Sequence, residues 1–461
     1  MTPSTNLPFL PAHTYARAHE WTGLSKLAFA SLWLLAFAIP WEDAVTISGI
    51  GTSVRLIGVL ALGLGLFAII EKGSVRRPAP GHYMMILFVM SAAVSYMWSL
   101  YPEGTWNQTL TYLQLLIMVW LIWELCPETQ QQLSLMQAYV LGTNISAIDT
   151  IYEFISHVQV DYQRYAGARL NANDLGLMMA LSIPFAYYLL MQSKGSMVWV
   201  YRLQLVLAGT TVLLTASRGA TLASLAALAI VPLTRSWLTV RQKVAVLLTV
   251  SLLVVAALAF VPSTSWERLS TMPEALDHGT MSGRTVIWGA GWDIFREHPF
   301  LGIGSNAFRV VVSRVLEEPI RLDDVDSPAP PAHNTFLSVL VEQGILGFAI
   351  FCAMLGVLVN SLRALPPIPR KVWIVCLIVW AIGVSSLTWE MRKPTWFFFG
   401  LLIAQCGGAV QKWPSRVDAS PQPPKHRAAV LDLPWSSETA GSGSRAFLWM
   451  KDSPAGLRTK S

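Results

Sequence analysis

Apolar runs long enough to cross a bilayer as helix recur along the chain, separated by short polar turns. They fall at 24–40, 54–70, 82–100, 110–126, 133–152, 172–191, 197–216, 219–233, 244–261, 340–362, 372–387 and 396–410, and so predict about twelve transmembrane helices. The seventh and eighth are nearly fused at Ser217-Arg218-Gly219, and the eighth is short. One polar stretch, 262–338, is far longer than the other turns. Within it Ser282-Gly283-Arg284 reads as a helix start, followed by Trp288, Trp292 and Phe295 at i, i+4 and i+7. That spacing predicts an amphipathic helix lying on the membrane surface or on the bundle. Pro299 ends it, and Gly302 and Gly304 make the next turn. An acidic stretch (Asp323, Asp324, Asp326) and three prolines (Pro328, Pro330, Pro331) lead to Ala332-His333-Asn334, where a new helix starts and runs into the membrane.

The expected fold is therefore all-α and polytopic, with one long extracytoplasmic loop. Residues 1–23 form a cytoplasmic N-terminus, 24–261 the first nine spans, 262–338 the loop, and 339–410 the last three spans. The Pro-, Ser- and Lys/Arg-rich tail, 411–461, reads as a disordered cytoplasmic extension. Residues 1–21 are polar and lack the short leader and small-residue cleavage site of a signal peptide.

Composition agrees. Hydrophobic types make up 53% of the 461 residues and charged types only 13%, against roughly 25% in a soluble domain. Lipid must be the solvent for much of that surface. The net charge of +6 is a bias of cytoplasmic loops rather than a nucleic-acid footprint. Placing the N-terminus inside puts Lys26, Lys72, Arg76, Arg77, Lys194, Arg202, Arg370 and Lys371 on inner turns, while Glu42, Asp43 and Glu103 fall outside. The exceptions are Arg164, Arg169, Arg218, Arg284, Arg309, Arg314 and Arg321, all on the outer side. Cys126, Cys352, Cys376 and Cys406 lie in or beside apolar runs without metal-ligand spacing, as small buried hydrophobes do.

Three groups stand out as candidate chemistry: Arg218 in TASRGA, Arg284 in SGRTVIW and His333 in PAHNTF. Arg218 is either an arginine reaching to lipid headgroups or a ligand for an anion at the outer interface. Arg284 stands in a first helical turn, the unfavourable end for a cation. A bound anion there would remove the conflict, since free N–H groups and a guanidinium share one target. His333 also stands at a helix start, which favours a neutral imidazole able to act as a base. An ordinary loop histidine or loop arginine is the plainer alternative for each taken singly. Asn171, Asn173 and Asp174 precede the sixth span and can cap it. Arg164, Arg169 and Asn173 are expected to extend a substrate groove beside it. Together the two guanidiniums and the imidazole suit a phosphorylated lipid and a hydroxyl acceptor.

The run GRTVIWGAGWDIFREHPFLGIGSNAF followed by PAHNTFLSVLVEQGILGF resembles the O-antigen ligase and polysaccharide polymerase superfamily. TASRGATLASLAAL and RYAGARLNANDLGLMMALSIP are similar to that family's other recurring segments. The resemblance covers 164–347. It implies a GT-C-like glycosyltransferase of the bacterial inner membrane with its active site on the periplasmic face. Such an enzyme uses an undecaprenyl-pyrophosphate-linked glycan as donor. The acceptor is a sugar hydroxyl of lipid A-core in ligases, another lipid-linked repeat in polymerases, and protein in oligosaccharyltransferases of the same superfamily. The resemblance further implies inversion at the anomeric centre without a metal or other cofactor, Arg218 and Arg284 holding the pyrophosphate, and His333 serving the acceptor or the leaving group. Asp324-Val325-Asp326 matches an Asp-x-Asp spacing but sits in a solvated, proline-flanked stretch. A secondary transporter is the competing class. It predicts repeated halves and broken helices, and the sequence shows no repeat between halves.

Overall fold

A computed structural model describes residues 22–47, 51–156, 164–234, 239–242, 244, 284–316 and 331–412, all within the unit Met1–Trp413. The expected ninth span, the acidic stretch with Asp323, Asp324 and Asp326, Arg321, and both chain ends lie outside the described residues. The helices are α1 (Gly23–Ala38), α2 (Ser53–Lys72), α3 (Pro80–Val94), α4 (Pro102–Leu125), α5 (Thr129–Ile155), α6 (Ala172–Gln192) and α7 (Met197–Leu214). They continue as α8 (Arg218–Ala227), α9 (Ile230–Thr234), α10 (Arg284–Glu297), α11 (Phe308–Val315), α12 (Thr335–Ser361), α13 (Pro367–Val384) and α14 (Lys393–Lys412). A two-residue hairpin, Thr46–Ile47 with Gly51–Thr52, closes the turn between α1 and α2.

Eight described helices are long and apolar enough to cross a membrane. The chain is a multi-pass helical membrane protein. Two more, α5 with 27 residues and α14 with 20, have spanning length and match the fifth and twelfth expected spans. The eighth expected span differs from a single helix: it breaks between α8 and α9. Pro232 explains this, because it lacks an N–H for the carbonyl of Leu228 and its ring crowds that group. Val231 N donates to Leu228 O instead, at 3.2 Å, a tighter turn.

The central helix is α6, in which every residue from 174 to 189 is buried. It packs against α5, α7, α8 and α13. A helix apolar on all sides belongs in such a centre. Its aromatic neighbours interlock, with Phe185 stacked on Phe398 at 4.7 Å and Tyr139 on Phe397 at 5.6 Å. Gln204 of α7 donates to Thr143 and Ser182, at 2.8 and 2.9 Å, so a buried amide ties α5, α6 and α7 together. Of the cysteines, Cys126, Cys376 and Cys406 are buried and Cys352 is exposed, all as free thiols.

The two ends of the bundle carry different pairs. At one end Lys72 meets Glu124 at 3.5 Å, Arg76 lies over the Trp123 ring at 3.8 Å, and Lys371 donates to Leu233 O at 2.8 Å. At the other end Glu42 meets Lys393, Asp174 meets Arg392, and Leu100 N donates to Ile303 O at 2.9 Å. Each group joins turns that the Lys/Arg alternation expects on one side, and on that expectation alone the second is called the outer end.

The helix that follows His333 does not run unbroken into the bundle. Within α12, Gly344 has φ +65° and ψ −171°, which splits it at that residue. Four backbone groups lose their helical partners there, and the segment 299–304 supplies replacements. Ile303 N and Gly304 N donate to Val341 O and Glu342 O, at 3.1 and 2.9 Å. Ile345 N and Leu346 N donate to Pro299 O and Phe300 O, at 2.8 and 3.3 Å. Irregular backbone beside a membrane span requires such internal pairing. Pro299 and the two glycines thus do more than end a helix: they fill a break in another. Gly302 has φ +68°, and a Cβ there would lie 2.5 Å from the carbonyl of Glu342.

The amphipathic helix expected after Ser282 is α10, but its buried face is Ile287, Ala290, Gly291 and Ile294. These pack with Ile303, Ala307, Phe308, Val312, Ala332 and Val341 in a second, smaller core. Of the expected stripe, Trp288 and Phe295 pack against the edge of this core, whereas Trp292 is 44% exposed. The tight approach is to α11: a Cβ at Gly291 would lie 3.0 Å from the Phe308 ring, and 3.6 Å, ordinary contact, from Leu337 of α12.

Gly344→Ala tests the break. Its backbone region is open essentially to glycine alone and strain there is on the order of 1–3 kcal/mol, and a Cβ would lie 2.3 Å from Phe300 O. Gly356→Ala is the control, with nothing within 4 Å. Melting of the purified protein in detergent is expected to drop several degrees for Gly344→Ala and to stay level for Gly356→Ala; equal melting of both would remove the break from the architecture.

Candidate functional site at the outer end

Ser217 caps α8, its hydroxyl accepting from Ala220 N at 3.4 Å, and Arg218 is the first helical residue. Ala216 before it has φ +48°, so the chain turns sharply out of α7. Gly219 permits this helix start to rest on the end of α13, because a Cβ there would lie 2.3 Å from Ser386 Oγ. Arg284 stands in the first turn of α10. Burial, and then the charge of Arg218, lower the pKa of its guanidinium. Arginine stays charged in proteins, so two like charges are held facing one another.

His333 does not open the helix, as its sequence position suggested. The cap is Asn334, whose side chain accepts from Leu337 N at 3.1 Å, and His333 precedes it with φ +48°. A left-handed conformation is uncommon for a residue with a Cβ and needs outside support. Trp288 of α10 provides some, donating its indole N–H to Ala332 O at 2.8 Å. This is the role of that tryptophan. Burial first, then the charges of Arg284 and Arg309, push His333 down to about 4, against an opposing pull from Asp174. Burial, with the facing cations second, keeps the imidazole neutral at pH 7.

The start of α6 completes the outer end. Asn171 caps α6, accepting from Asn173 N at 2.9 Å. Asp174, 7% exposed, accepts from the Trp389 indole at 2.7 Å and from Arg392 at 3.1 Å. Trp389 N in turn donates to Thr335 Oγ1 at 2.7 Å, which donates to Leu387 O at 2.9 Å. One network therefore joins the starts of α6 and α12 to the turn between α13 and α14. Arg392 is held charged chiefly by Asp174.

The structure thus brings Arg284 within electrostatic reach of both Arg218 and His333, from three turns distant in sequence. It adds Arg309 of α11, which faces Arg392, Glu342 and Asp174. Arg164 and Asn173 pair with each other at 2.8 Å, and Arg164 also donates to Thr215 O at 2.9 Å, so they brace the turn between α5 and α6 against α7. Arg169 is exposed, with φ +56°, on the turn that they brace. Sequence reading passed over Arg392, Trp389, Glu390 and Glu342. Arg392 and Lys393 carried a signal, since they are further positive charges on the side expected to face outward.

A separate apolar cavity of about 350 Å³ opens between α6, α7, α8 and α9. Its wall includes Tyr187, Val206, Gly209, Leu213, Ser224 and Leu228. Helix α8, which starts with Arg218, forms one side of it.

Fold and site together define a helical membrane protein with a cluster of guanidiniums and one neutral histidine gathered at one end. Residues 203–352 match the family model described as O-antigen ligase. This match supports the O-antigen ligase and polysaccharide polymerase superfamily, and the activity it suggests in general is that of a glycosyltransferase-like enzyme. It spans Arg218, Arg284, Arg309, His333 and Glu342, whereas Asp174, Glu390 and Arg392 lie outside it. No curated protein matches the chain.

The histidine gives a pH test. Its folded value near 4 lies below the ordinary 6.5, so the unfolded chain takes up a proton first as pH falls. Its share of stability is complete above about 6.5 and is lost as pH falls toward 4. His333→Gln removes that share, so its melting temperature should fall less than wild type between pH 7 and about 4.5; superimposable pH curves would show that His333 is not held neutral by its buried, cation-flanked setting.

Proposed function

We propose that the chain is an O-antigen ligase that transfers a glycan from an undecaprenyl-pyrophosphate donor to a sugar hydroxyl of lipid A-core on the periplasmic face of the inner membrane. The observation carrying this reading is the convergence of Arg218, Arg284 and neutral His333 at one end of the bundle. An anion between the two guanidiniums would be held by both, and a pyrophosphate offers oxygens for bidentate contact with each. The acceptor oxygen attacks the anomeric carbon, the bond to pyrophosphate breaks with its electron pair, and the hydroxyl proton passes to His333. Charge developing on the leaving pyrophosphate meets fixed guanidiniums, which is the largest contribution such a site can make. In-line displacement inverts the anomeric centre. The apolar cavity beside α8 is where the polyprenyl chain lies, since the helix that begins at Arg218 forms its wall.

The transporter reading gains one observation, the break in α12 at Gly344. In transporters such breaks line an ion or substrate site. Here segment 299–304 fills the break with hydrogen bonds, and that observation favours the transferase.

Transfer from a defined polyprenyl-pyrophosphate glycan, measured with donor binding, tests the assignment. His333→Ala should lose about 10²–10⁴ in rate and keep donor binding. Arg218→Lys and Arg284→Lys should both weaken donor binding, because an ammonium cannot reproduce the bidentate contact. Near-normal transfer in all three variants would sink the reading.

The cavity has its own test. A Cβ at Gly209 meets nothing within 4 Å, so Gly209→Trp should fill the space without unfolding the protein. Donor binding should fall while binding of a water-soluble pyrophosphate analogue without the lipid stays level; a fall in both would place the polyprenyl chain elsewhere.

A further inference from the structure

Beside the cationic cluster lies a pair of carboxyl groups that the transfer reaction has not used. Glu342 of α12 is 7% exposed and Glu390, in the turn between α13 and α14, is 4% exposed. Both line one cavity of about 10 Å³, whose polar wall is completed by Gln108, Asn306, Arg309, Ser338 and Thr388. That is room for about one water. Pro331 and Ala332, which lead to His333, form another part of the same wall.

The two carboxyls are not equally satisfied. Glu342 accepts from Asn306 N at 2.8 Å and from Phe308 N at 3.3 Å, one bond to each oxygen. Glu390 accepts from Ser338 at 2.9 Å through Oε1, while its buried Oε2 has no hydrogen-bond partner. Thr388 Oγ1 on the same wall is also buried and without one. Burying a carboxylate oxygen unpaired is costly, and two negative charges on one small cavity repel. The facing cations do not cancel both charges: Arg309 faces Glu342, and Arg392 faces Glu390 but gives its hydrogen bond to Asp174. The remaining facing groups are neutral: Tyr112 and Gln108 from α4, Thr335 and Ser338 from α12.

We propose that Glu342 and Glu390 form a proton-binding site, an acid–carboxylate pair that shares one proton across this cavity. A proton removes one of the two charges, and a carboxylic O–H can donate to the water that the cavity has room for. Burial accordingly pushes the Glu390 carboxyl above the ordinary carboxylate range. On the transferase reading the site has a use, since it abuts the segment before His333 and the charge left on the pair offers a destination for the acceptor's proton. No redox partner is needed; an O–H bond breaks at the acceptor and another forms at a carboxylate.

The test needs no substrate, so it stands or falls apart from the transferase reading. Infrared spectra of the purified protein at neutral pH should show the carbonyl stretch of a protonated carboxylic acid that shifts in D2O. Glu390→Gln or Glu342→Gln should abolish it, and Gln at 390 should melt no lower than wild type because it mimics the protonated group. If one variant fails to fold, the other carries the assignment. Absence of the band in wild type, or its persistence in every variant that folds, would overturn the proposal.

Discussion

The outer end of the bundle depends on one buried carboxylate. Asp174 stands in the first turn of the central helix, where the helix dipole favours a negative charge. It binds Trp389 and Arg392, from a turn more than 200 residues away, at 2.7 and 3.1 Å. Arg309 and Arg392, which repel one another, both face it. Removing one partner leaves the other charge uncompensated, at a cost below the roughly 3–5 kcal/mol of a fully buried pair, because the Arg392 side chain is 42% exposed. Asp174 is therefore a structural counter-charge for a site built of cations. Its network through Thr335 also fixes where α12 begins, and so where His333 stands.

Strain is concentrated at this end as well. The non-glycine residues with positive φ are Ala168, Arg169, Ala216, Asn306 and His333 among the described residues. Each lies in a turn of the outer end, not inside a span. Such conformations cost of order 1–3 kcal/mol and persist only where surrounding bonds over-determine them. The supports are visible: Ala168 N donates to Asp149 at 2.6 Å, Asn306 N to Glu342 at 2.8 Å, and Trp288 holds the carbonyl just before His333. The spans supply a rigid frame, and the turns between them spend its stability on side-chain placement.

Much of this frame is legible in the sequence. The expected spans at 172–191 and 197–216 start where α6 and α7 start, because Asn171 caps the first and a Gly-containing turn precedes the second. Arg218, Arg284 and His333 are legible as chemistry through a charge or base at the head of a helix. Their convergence is not, since it comes from packing of α8, α10 and α12. The partnership of Asp174 with Arg392 is hidden for the same reason. Periodicity is only partly right on α10: Trp288 and Phe295 do pack on the second core, but the buried face is Ile287, Ala290, Gly291 and Ile294, and Trp292 is left exposed. It failed on α12: Val341 to Phe348 reads as a continuous run, and only the hydrogen bonds from 299–304 explain how Gly344 can break it.

A site of this charge ties binding to proton transfer. Burial, and then the charges of Arg284 and Arg309, oppose a proton on His333, whose value of about 4 makes it a weak base. A pyrophosphate placed between Arg218 and Arg284 would cancel much of that field and raise the proton affinity of the imidazole. Linkage makes the effect reciprocal, since whatever donor binding does to His333 protonation, protonation does to donor binding. On the proposed reaction the histidine becomes an effective base only when donor is present, which guards against idle deprotonation. Departure of the lipid pyrophosphate would restore the repulsion and drive the proton off. The carboxyl pair at Glu342 and Glu390, on the wall beside Ala332, is positioned to receive it. A cationic cleft without such a neighbour would have to discharge its proton past the same guanidiniums that expelled it.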